Sequence, residues 1–225
     1  MYQGCKIGLV LLMGGSGERC GGAVPKQFAL IQNIPIYLHT LKPFRKSALF
    51  DQIVLVSHPK WVEKVRAFSP DLIVVEGGKT RQESSFLGLK GFSDPPDIVM
   101  MHDAVRPFVS EKIILDNLAG AIAHGAVDTC VASPDTIVHS PCGKKIHTIP
   151  KRKEFLRGQT PQTFRFAWLV QAHEAALREQ VTDVSDDCQL VLRSGRSVHV
   201  VDGCERNFKI TTEFDLIMSN HIISS

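Results

Sequence analysis

Six short runs rich in aliphatic residues recur along this chain, at positions 7–12, 52–57, 72–75, 97–102, 127–132 and 198–201. Helical patterns lie between them. One, at 37–45, follows Ile34-Pro35, and another, at 61–68, follows His58-Pro59. The stretch 80–89 opens on Thr80 with Glu83 three residues on, the pattern of a capping box. Ser110 precedes a further helix in which Ile114, Leu118 and Ile122 fall on one face. Strands alternating with helices predict βαβ units, hence an α/β domain with a mainly parallel sheet flanked by helices. Several of the runs are continuously apolar, as expected of strands covered on both faces. Ligands of such sheets bind at the carboxyl ends of the strands. The loops after Leu12, Val75 and His102 are therefore where chemistry is expected.

The stretch 136–152, TIVHSPCGKKIHTIPKR, breaks this alternation. It alternates loosely about a Pro-Cys-Gly turn and reads as a β-hairpin arm projecting from the sheet domain. Exposed strand edges call for a partner, so the arm is expected to pair with a second subunit. The chain then returns through helices near 166–179, 186–193 and 212–223. With no internal repeat or flexible linker, residues 1–225 read as one domain carrying the arm 136–152.

Composition narrows the class of function. A net charge of +3 gives no global pull toward nucleic acid or a membrane surface. No apolar run approaches the length of a membrane span, and positions 1–6 lead into a short strand rather than a secretion signal. The six cysteines, at 5, 20, 130, 142, 188 and 204, form no C-x-x-C pair and complete no zinc pattern with histidine. A cytoplasmic protein with reduced, packing-type cysteines is expected.

The loop after the first strand is the richest in chemistry. It holds Gly14, Gly15, Gly17, Gly21 and Gly22, carries Arg19, and ends in Pro25-Lys26-Gln27. Glycines let backbone N–H groups approach an anion closely, and Arg19 and Lys26 supply fixed positive charge. A polyphosphate is the natural ligand. The G-K-[ST] ending of a Walker A loop is absent, and Glu18-Arg19 stands where a dinucleotide-binding loop has its third glycine, which argues against an NAD enzyme. A second glycine pair opens GGKTRQESS at Gly77, with Ser84 placed for contact with a nucleotide base or, equally, for a plain loop and cap. In HDAVRPF, Asp103 ends a strand where it can orient a hydroxyl or a metal ion, or simply pair with Arg106. GQTPQTF, at 158–164, and Lys209 in NFKITT say little on their own. Asp183, Asp186 and Asp187 read as helix N-terminal acids.

Taken together and in order, G-x-G-x-R with P-K-Q-F, GG-x-x-R-x-x-S, HDAVRPF, Asp135-Thr136, QTPQ and N-x-K-I-T resemble the cytidylyltransferases that act on 2-C-methyl-D-erythritol 4-phosphate. The ribitol-5-phosphate cytidylyltransferases are a sister branch. The resemblance spans nearly the whole chain and implies a Rossmann-like nucleotidyltransferase fold. It implies that Arg19 and Lys26 stabilise charge on the triphosphate, and that Arg152 and Lys209 position the acceptor's phosphate. Met13, Gly14, Gly15, Gly17, Gly78, Lys79 and Ser84 correspond to the cytidine side. Asp103, Arg106 and Thr136 correspond to acceptor contacts, Thr160 to a contact on the CTP side, and Ser185 to a further substrate contact where threonine is common. The chain departs from the family's usual residues at Met13, Gly14, Lys79 and in Val-Ala-Ser-Pro before Asp135.

The resemblance further implies Mg²⁺ as cofactor, CTP and a polyol phosphate as substrates, and a homodimer whose arm reaches the neighbouring site, so that Thr136 and Arg152 serve in trans. The reading placed first is transfer of CMP from CTP to 2-C-methyl-D-erythritol 4-phosphate in the non-mevalonate isoprenoid pathway. Ribitol 5-phosphate as acceptor is the alternative, and a non-catalytic CTP-binding protein is the alternative of another class. An acceptor phosphate is already ionised near neutral pH, so the reaction needs no general base. Two polyanions must be brought together, and that explains the demand for cationic side chains and a metal ion.

Overall fold

The computed structural model describes residues 1–15, 25–182 and 184–224. Nine strands and seven α-helices are described: β1 Ile7–Met13, β2 Leu30–Ile31, β3 Ile34–Pro35, α1 Ile36–Ser47, β4 Gln52–Ser57, α2 Val62–Phe68, β5 Ile73–Glu76, α3 Arg81–Lys90, β6 Ile98–Asp103, α4 Glu111–His124, β7 Ala126–Ala132, β8 Leu156–Arg165, α5 Phe166–Arg178, α6 Asp187–Arg193, β9 His199–Asp202 and α7 Glu213–Ser224. All but β2 and β3 form one seven-stranded sheet in the order β5-β4-β1-β6-β8-β7-β9. Strands β5, β4, β1 and β6 run parallel, β8 is antiparallel to both its neighbours, and β9 is parallel to β7. No helix among the described residues is long and apolar enough to cross a membrane.

The period of two along β1 sorts its side chains to opposite faces. Ile7, Leu9, Leu11 and Met13 pack with Tyr37, Leu41 and Phe44 of α1, Val62 and Val65 of α2, and Ile114 and Leu118 of α4. Val10 joins Val54 and Val56 of β4 on the other face, against Leu89 of α3, Leu169 and Ala172 of α5, and Leu190 and Val191 of α6. Helix α7 closes over the β2–β3 hairpin through a small cluster that includes Ile31, Ile36, Ile210 and Leu216. The caps fall where the sequence puts them. Thr80 accepts from the Glu83 N–H at 3.0 Å, and Ser110 from that of Ile113 at 3.3 Å.

Strand β8 is the element the hydrophobic pattern hides. It is central, yet its buried residues include Gln159, Thr160, Gln162 and Thr163. Side chains of the neighbouring elements meet much of their bonding need: Asn117 of α4 accepts from Thr163 at 3.2 Å and donates to Thr129 at 2.8 Å, Thr129 donates to the Pro161 carbonyl at 2.6 Å, and Gln162 donates to Asp128 at 3.0 Å. Proline is normally excluded from a central strand. Here the β7–β8 register jumps between Asp128↔Gln162 and Cys130↔Gly158, and β6 pairs no further than Gln162, so residues 159–161 sit in the interruption. The Thr160–Pro161 peptide is cis. The interruption carries Thr160 and Gln159 beneath the carboxyl end of β6.

The segment 136–152 is an excursion built as expected around a turn, with the Gly143 N–H on the Ser140 carbonyl and Gly143 at φ +67°. Its pairing is sparser than a hairpin of two strands: one antiparallel bridge joins His139 to Thr148. Val138, Ile146 and Ile149 are exposed on it.

Helix α3, which borders the glycine loops, lies unusually close to the sheet. A Cβ at Gly88 would meet Val10 Cγ1 at 2.6 Å and Val56 Cγ2 at 2.8 Å. Both neighbours are β-branched and stiff at χ1. Gly88→Ala gains about 1 kcal/mol of helix propensity but overpacks two strands at a cost of roughly 1–3 kcal/mol, since little can yield. A net loss of stability is expected, read as a lower midpoint in urea with an unchanged slope; a midpoint equal to or above that of the parent would show that α3 moves outward freely.

Candidate active site

The carboxyl ends of β1, β4, β5 and β6 open onto one cleft of about 1140 Å³. Met13, Gly14 and Gly15 enter it from β1, His58 from the end of β4, and Gly77, Gly78 and Lys79 from the end of β5. Arg81 and Ser84 come from α3 and Asp103 from β6, while Lys26 and Lys209 close the far side. A side chain at any of three glycines would press on α3. Ser84 Oγ would lie 3.2 Å from a Cβ at Gly14 and 3.1 Å from one at Gly77, and the Glu83 side chain 2.2 Å from one at Gly78. Ser84 accepts from the Gly78 N–H at 3.1 Å, so it holds the second glycine loop against the first turn of α3. Glu83 reaches back to the Lys79 N–H at 2.7 Å. These bonds order the start of α3 at the edge of the cleft, where the positive end of the helix dipole favours an anion.

Gln27, buried beside Lys26, donates to the Met13 and Gly15 carbonyls at 2.6 and 3.0 Å. It ties the exit of the glycine loop to its entry. Lys26 Nζ donates to the Thr211 carbonyl at 2.7 Å, which brings it alongside the segment that carries Lys209.

Asp103 ends β6, buried, with Lys209 Nζ at 3.0 Å and Arg106 Nε at 3.5 Å from its Oδ2. Burial alone would push its pKa up; Lys209, Arg81 and Arg106 outweigh that and hold the carboxyl well below the usual range. His102 lies beside it and is fully buried. Its Nε2 faces the Arg106 carbonyl at 3.2 Å, which can only accept, so Nε2 carries the proton. Nδ1 is then the acceptor for Thr160 Oγ1 at 3.0 Å, and Thr160 in turn accepts from the Asp103 N–H at 3.1 Å. Burial lowers the His102 pKa to about 4. The ring is neutral, with both nitrogens engaged, and does not serve as a base. Arg106 also donates to the Asn207 carbonyl at 2.9 Å, and Asn207 to the Thr160 carbonyl at 2.8 Å. The loop bearing Lys209 is therefore latched to both β6 and β8.

A second, smaller pocket of about 180 Å³ adjoins the cleft, lined by Arg106, Gln159, Thr160, Gln162, Ser185 and Asp186 among others. Arg81, Asp103 and Lys209 border both spaces. Among the described residues no three His, Cys, Asp or Glu side chains cluster as a metal cage. The carboxylates along the cleft, Glu76, Glu83 and Asp103, stand apart from one another in sequence and role. Such a donor set suits Mg²⁺ arriving on a triphosphate, since that ion keeps most of its shell in water and phosphate oxygens.

Most residues singled out from the sequence therefore converge here: Met13, Gly14, Gly15, Lys26, Gly78, Lys79, Ser84, Asp103 and Lys209 at the cleft, and Arg106, Thr160 and Ser185 at the small pocket. Gly17, Arg19 and Cys20 lie outside the described residues, as does Asp183. Thr136 and Arg152 line neither space; both are exposed on the arm, where Arg152 donates to the Pro134 carbonyl at 2.7 Å. Three residues were passed over in the sequence. Gln27 and Arg81 stand inside motifs already noted, and Asn207 opens a third, but only contacts distant in sequence show what they hold.

Comparison with known proteins agrees with this geometry. The family IspD: 2-C-methyl-D-erythritol 4-phosphate cytidylyltransferase matches residues 7–225. Ribitol-5-phosphate cytidylyltransferase of Lactiplantibacillus plantarum is 37% identical over 95% of this chain and 96% of its own length. The crystal structure of 4-diphosphocytidyl-2C-methyl-D-erythritol synthase from Anaerococcus prevotii superposes with a TM-score of 0.85 at 28% identity, covering 98% of this chain and 99% of that one. The 2-C-methyl-D-erythritol 4-phosphate cytidylyltransferase from Thermus thermophilus gives 0.78 at 30% identity, covering 96% and 98%. With the phosphate-ready cleft in the place where parallel sheets bind nucleotides, and with a match over almost its entire length, this chain belongs to the IspD family and is a cytidylyltransferase.

Proposed function

We propose that the protein transfers CMP from CTP to ribitol 5-phosphate, giving CDP-ribitol and pyrophosphate. The observation that carries this reading is the 37% identity to a ribitol-5-phosphate cytidylyltransferase over nearly the whole of both chains. It reverses the order of preference drawn from motifs alone. A second reading, 2-C-methyl-D-erythritol 4-phosphate as acceptor, is favoured by the family match and by the solved structures at 28–30% identity. Either acceptor is a polyol phosphate, and the chemistry is the same.

An oxygen of the acceptor phosphate attacks the α-phosphorus of CTP. The new P–O bond forms as the bond to the β-phosphate oxygen breaks, and pyrophosphate leaves with that electron pair. The nucleophile is already an anion, so no proton has to be removed, in keeping with the neutral, fully engaged His102. The glycine loops and α3 hold the nucleotide. Lys26, with Arg19 as the resemblance implies, offsets the charge that builds on the leaving pyrophosphate. Lys209 and Arg106, fixed by Asp103 and Asn207, face the acceptor. Mg²⁺, were it to arrive with the triphosphate, would supply further charge neutralisation, and Asp103 and Glu76 are the strand-end carboxylates along the cleft that could help to hold it. In a homodimer, the arm of one subunit brings Thr136 and Arg152 to its neighbour's acceptor.

Pyrophosphate release from CTP, with each acceptor supplied separately, tests the assignment. Ribitol 5-phosphate should give a kcat/KM at least tenfold above that of methylerythritol phosphate; the reverse ranking installs the second reading, and CTP binding without release from either makes the chain a binding protein. Lys26→Ala or Arg19→Ala should lower kcat by about 10²-fold or more, the scale of losing one preorganised charge contact. Near-parental turnover at saturating CTP would remove that residue from the mechanism. Mixing Arg152→Ala subunits with Lys26→Ala subunits should restore one working site per heterodimer, because only the Lys26-bearing cleft then receives an intact arm. Verified heterodimers as inactive as either parent would place Arg152 in its own subunit's site.

A further inference from the structure

Arg81, Asp103 and Lys209 are the three residues common to the linings of the nucleotide cleft and the small pocket. They mark the junction between the two spaces. Asp103 and Lys209 belong to the mechanism above; Arg81 has no part in it. It is the first residue of α3, and its NH1 donates to Asp187 Oδ2 at 2.8 Å. Its side chain remains 27% exposed, whereas Asp187 is 1% exposed. The other oxygen of Asp187 accepts from Ser85 Oγ at 2.6 Å and from His173 Nε2 at 3.0 Å. His173 is itself buried, its ring stacked on Phe86 at 5.3 Å and 7°. One buried carboxylate thus joins α3, α5 and α6, and the only one of its partners that reaches the cleft is Arg81.

A fastener between helices does not require a cation at the meeting point of two anionic substrates. Ser85 and His173 already join the three helices through the same carboxylate. A guanidinium carries five N–H donors in a rigid plane, and one carboxylate oxygen occupies only part of that fork. At the junction itself, Arg81, Lys209 and Arg106 are set against two buried carboxylates, Asp187 and Asp103, a balance that can accept a phosphoryl group. Held at one end by a carboxylate that cannot move, a guanidinium is preorganised, and it need not be reoriented as charge develops.

We propose that Arg81 is a further catalytic residue, contacting the α-phosphoryl group at the junction of the two pockets, and that Asp187 and His173 are positioning residues that aim it. The proposal rests on CMP transfer at this cleft, and on the choice of acceptor only for the turnover measurements.

The test combines CTP affinity, measured by calorimetry with Mg²⁺ and no acceptor, with pyrophosphate release in the presence of ribitol 5-phosphate or methylerythritol phosphate. Arg81→Ala should weaken CTP binding about tenfold, the loss of one charge-assisted hydrogen bond, and lower kcat by about 10²-fold. Added guanidinium ion should restore part of that turnover, a response that a purely structural arginine would not give. Arg81→Lys keeps the charge beside Asp187, and with it the fold, but loses the fork; it should stay at least about tenfold slow with an unchanged melting midpoint. Asp187→Asn and His173→Gln should slow turnover less than Arg81→Ala, and adding either to Arg81→Ala should cost nothing more, the non-additivity of groups that act through one another. Arg81→Ala or Arg81→Lys with CTP affinity within twofold and turnover within threefold of the parent would overturn the catalytic role. Fully additive losses would return Asp187 and His173 to the fold alone. If the parent turns over neither acceptor, the acceptor reading fails, and the CTP affinities still decide the role of Arg81.

Discussion

The Asp103 carboxylate, buried at the carboxyl end of a central strand, is the constraint from which the site is organised. A lone buried charge is costly, so the fold brings cations to it: Lys209 at 3.0 Å and Arg106 at 3.5 Å. Each cation comes from a different part of the chain. Arg106 follows β6 in the turn that Pro107 stiffens, and Lys209 comes from the segment between β9 and α7. By recruiting both, Asp103 latches a late loop onto the middle of the sheet and leaves an excess of positive charge facing outward. Lys26 joins the same loop through the Thr211 carbonyl. Lys26 of the first glycine loop and Lys209 of the last loop thereby come to share one cleft.

That arrangement explains why His102, next in sequence to the site's central carboxylate, does not act as a base. His102 sits one residue before Asp103, and since side chains alternate along a strand it turns away from the cleft and is wholly buried. There it braces Thr160 with one nitrogen and the Arg106 carbonyl with the other. Its low pKa is a consequence of burial, and its task is to hold the β6–β8 junction in register. Because both substrates arrive ionised, catalysis reduces to placement and charge neutralisation, and a network of fixed cations is sufficient.

The sheet and its flanking helices were legible because their signals are local. Apolar runs, the Thr80 and Ser110 caps and the loops at strand ends each depend on a few adjacent residues. Strand β8 was not legible, since a central strand reading LRGQTPQTFR has neither an apolar run nor a clean alternation. Its burial becomes affordable only through Asn117 and Thr129, which lie on other elements. The same limit applies to the site. Glycines and cations in the loops announce a phosphate ligand on their own. Gln27 and Arg81 declare their parts only through Met13 and Asp187, and the second of these contacts spans 106 positions. Position in a motif was visible; what the side chain holds was not.

The two sides of the site differ in how they are packed. The nucleotide side is formed by strand ends and the first turn of α3, all packed on the sheet, with Gly88 holding the helix against Val10 and Val56. A change there disturbs the core. The small pocket combines buried Arg106, Thr160 and Gln162 with Ser185, exposed just before α6, while Thr136 and Arg152 are exposed on the arm. Substitutions at the exposed Ser185, Thr136 and Arg152 cost the fold little. Chemistry common to all acceptors, the in-line attack of one phosphate on another, stays with the buried Asp103 network. The relatives that match this chain carry the names of different polyol phosphates.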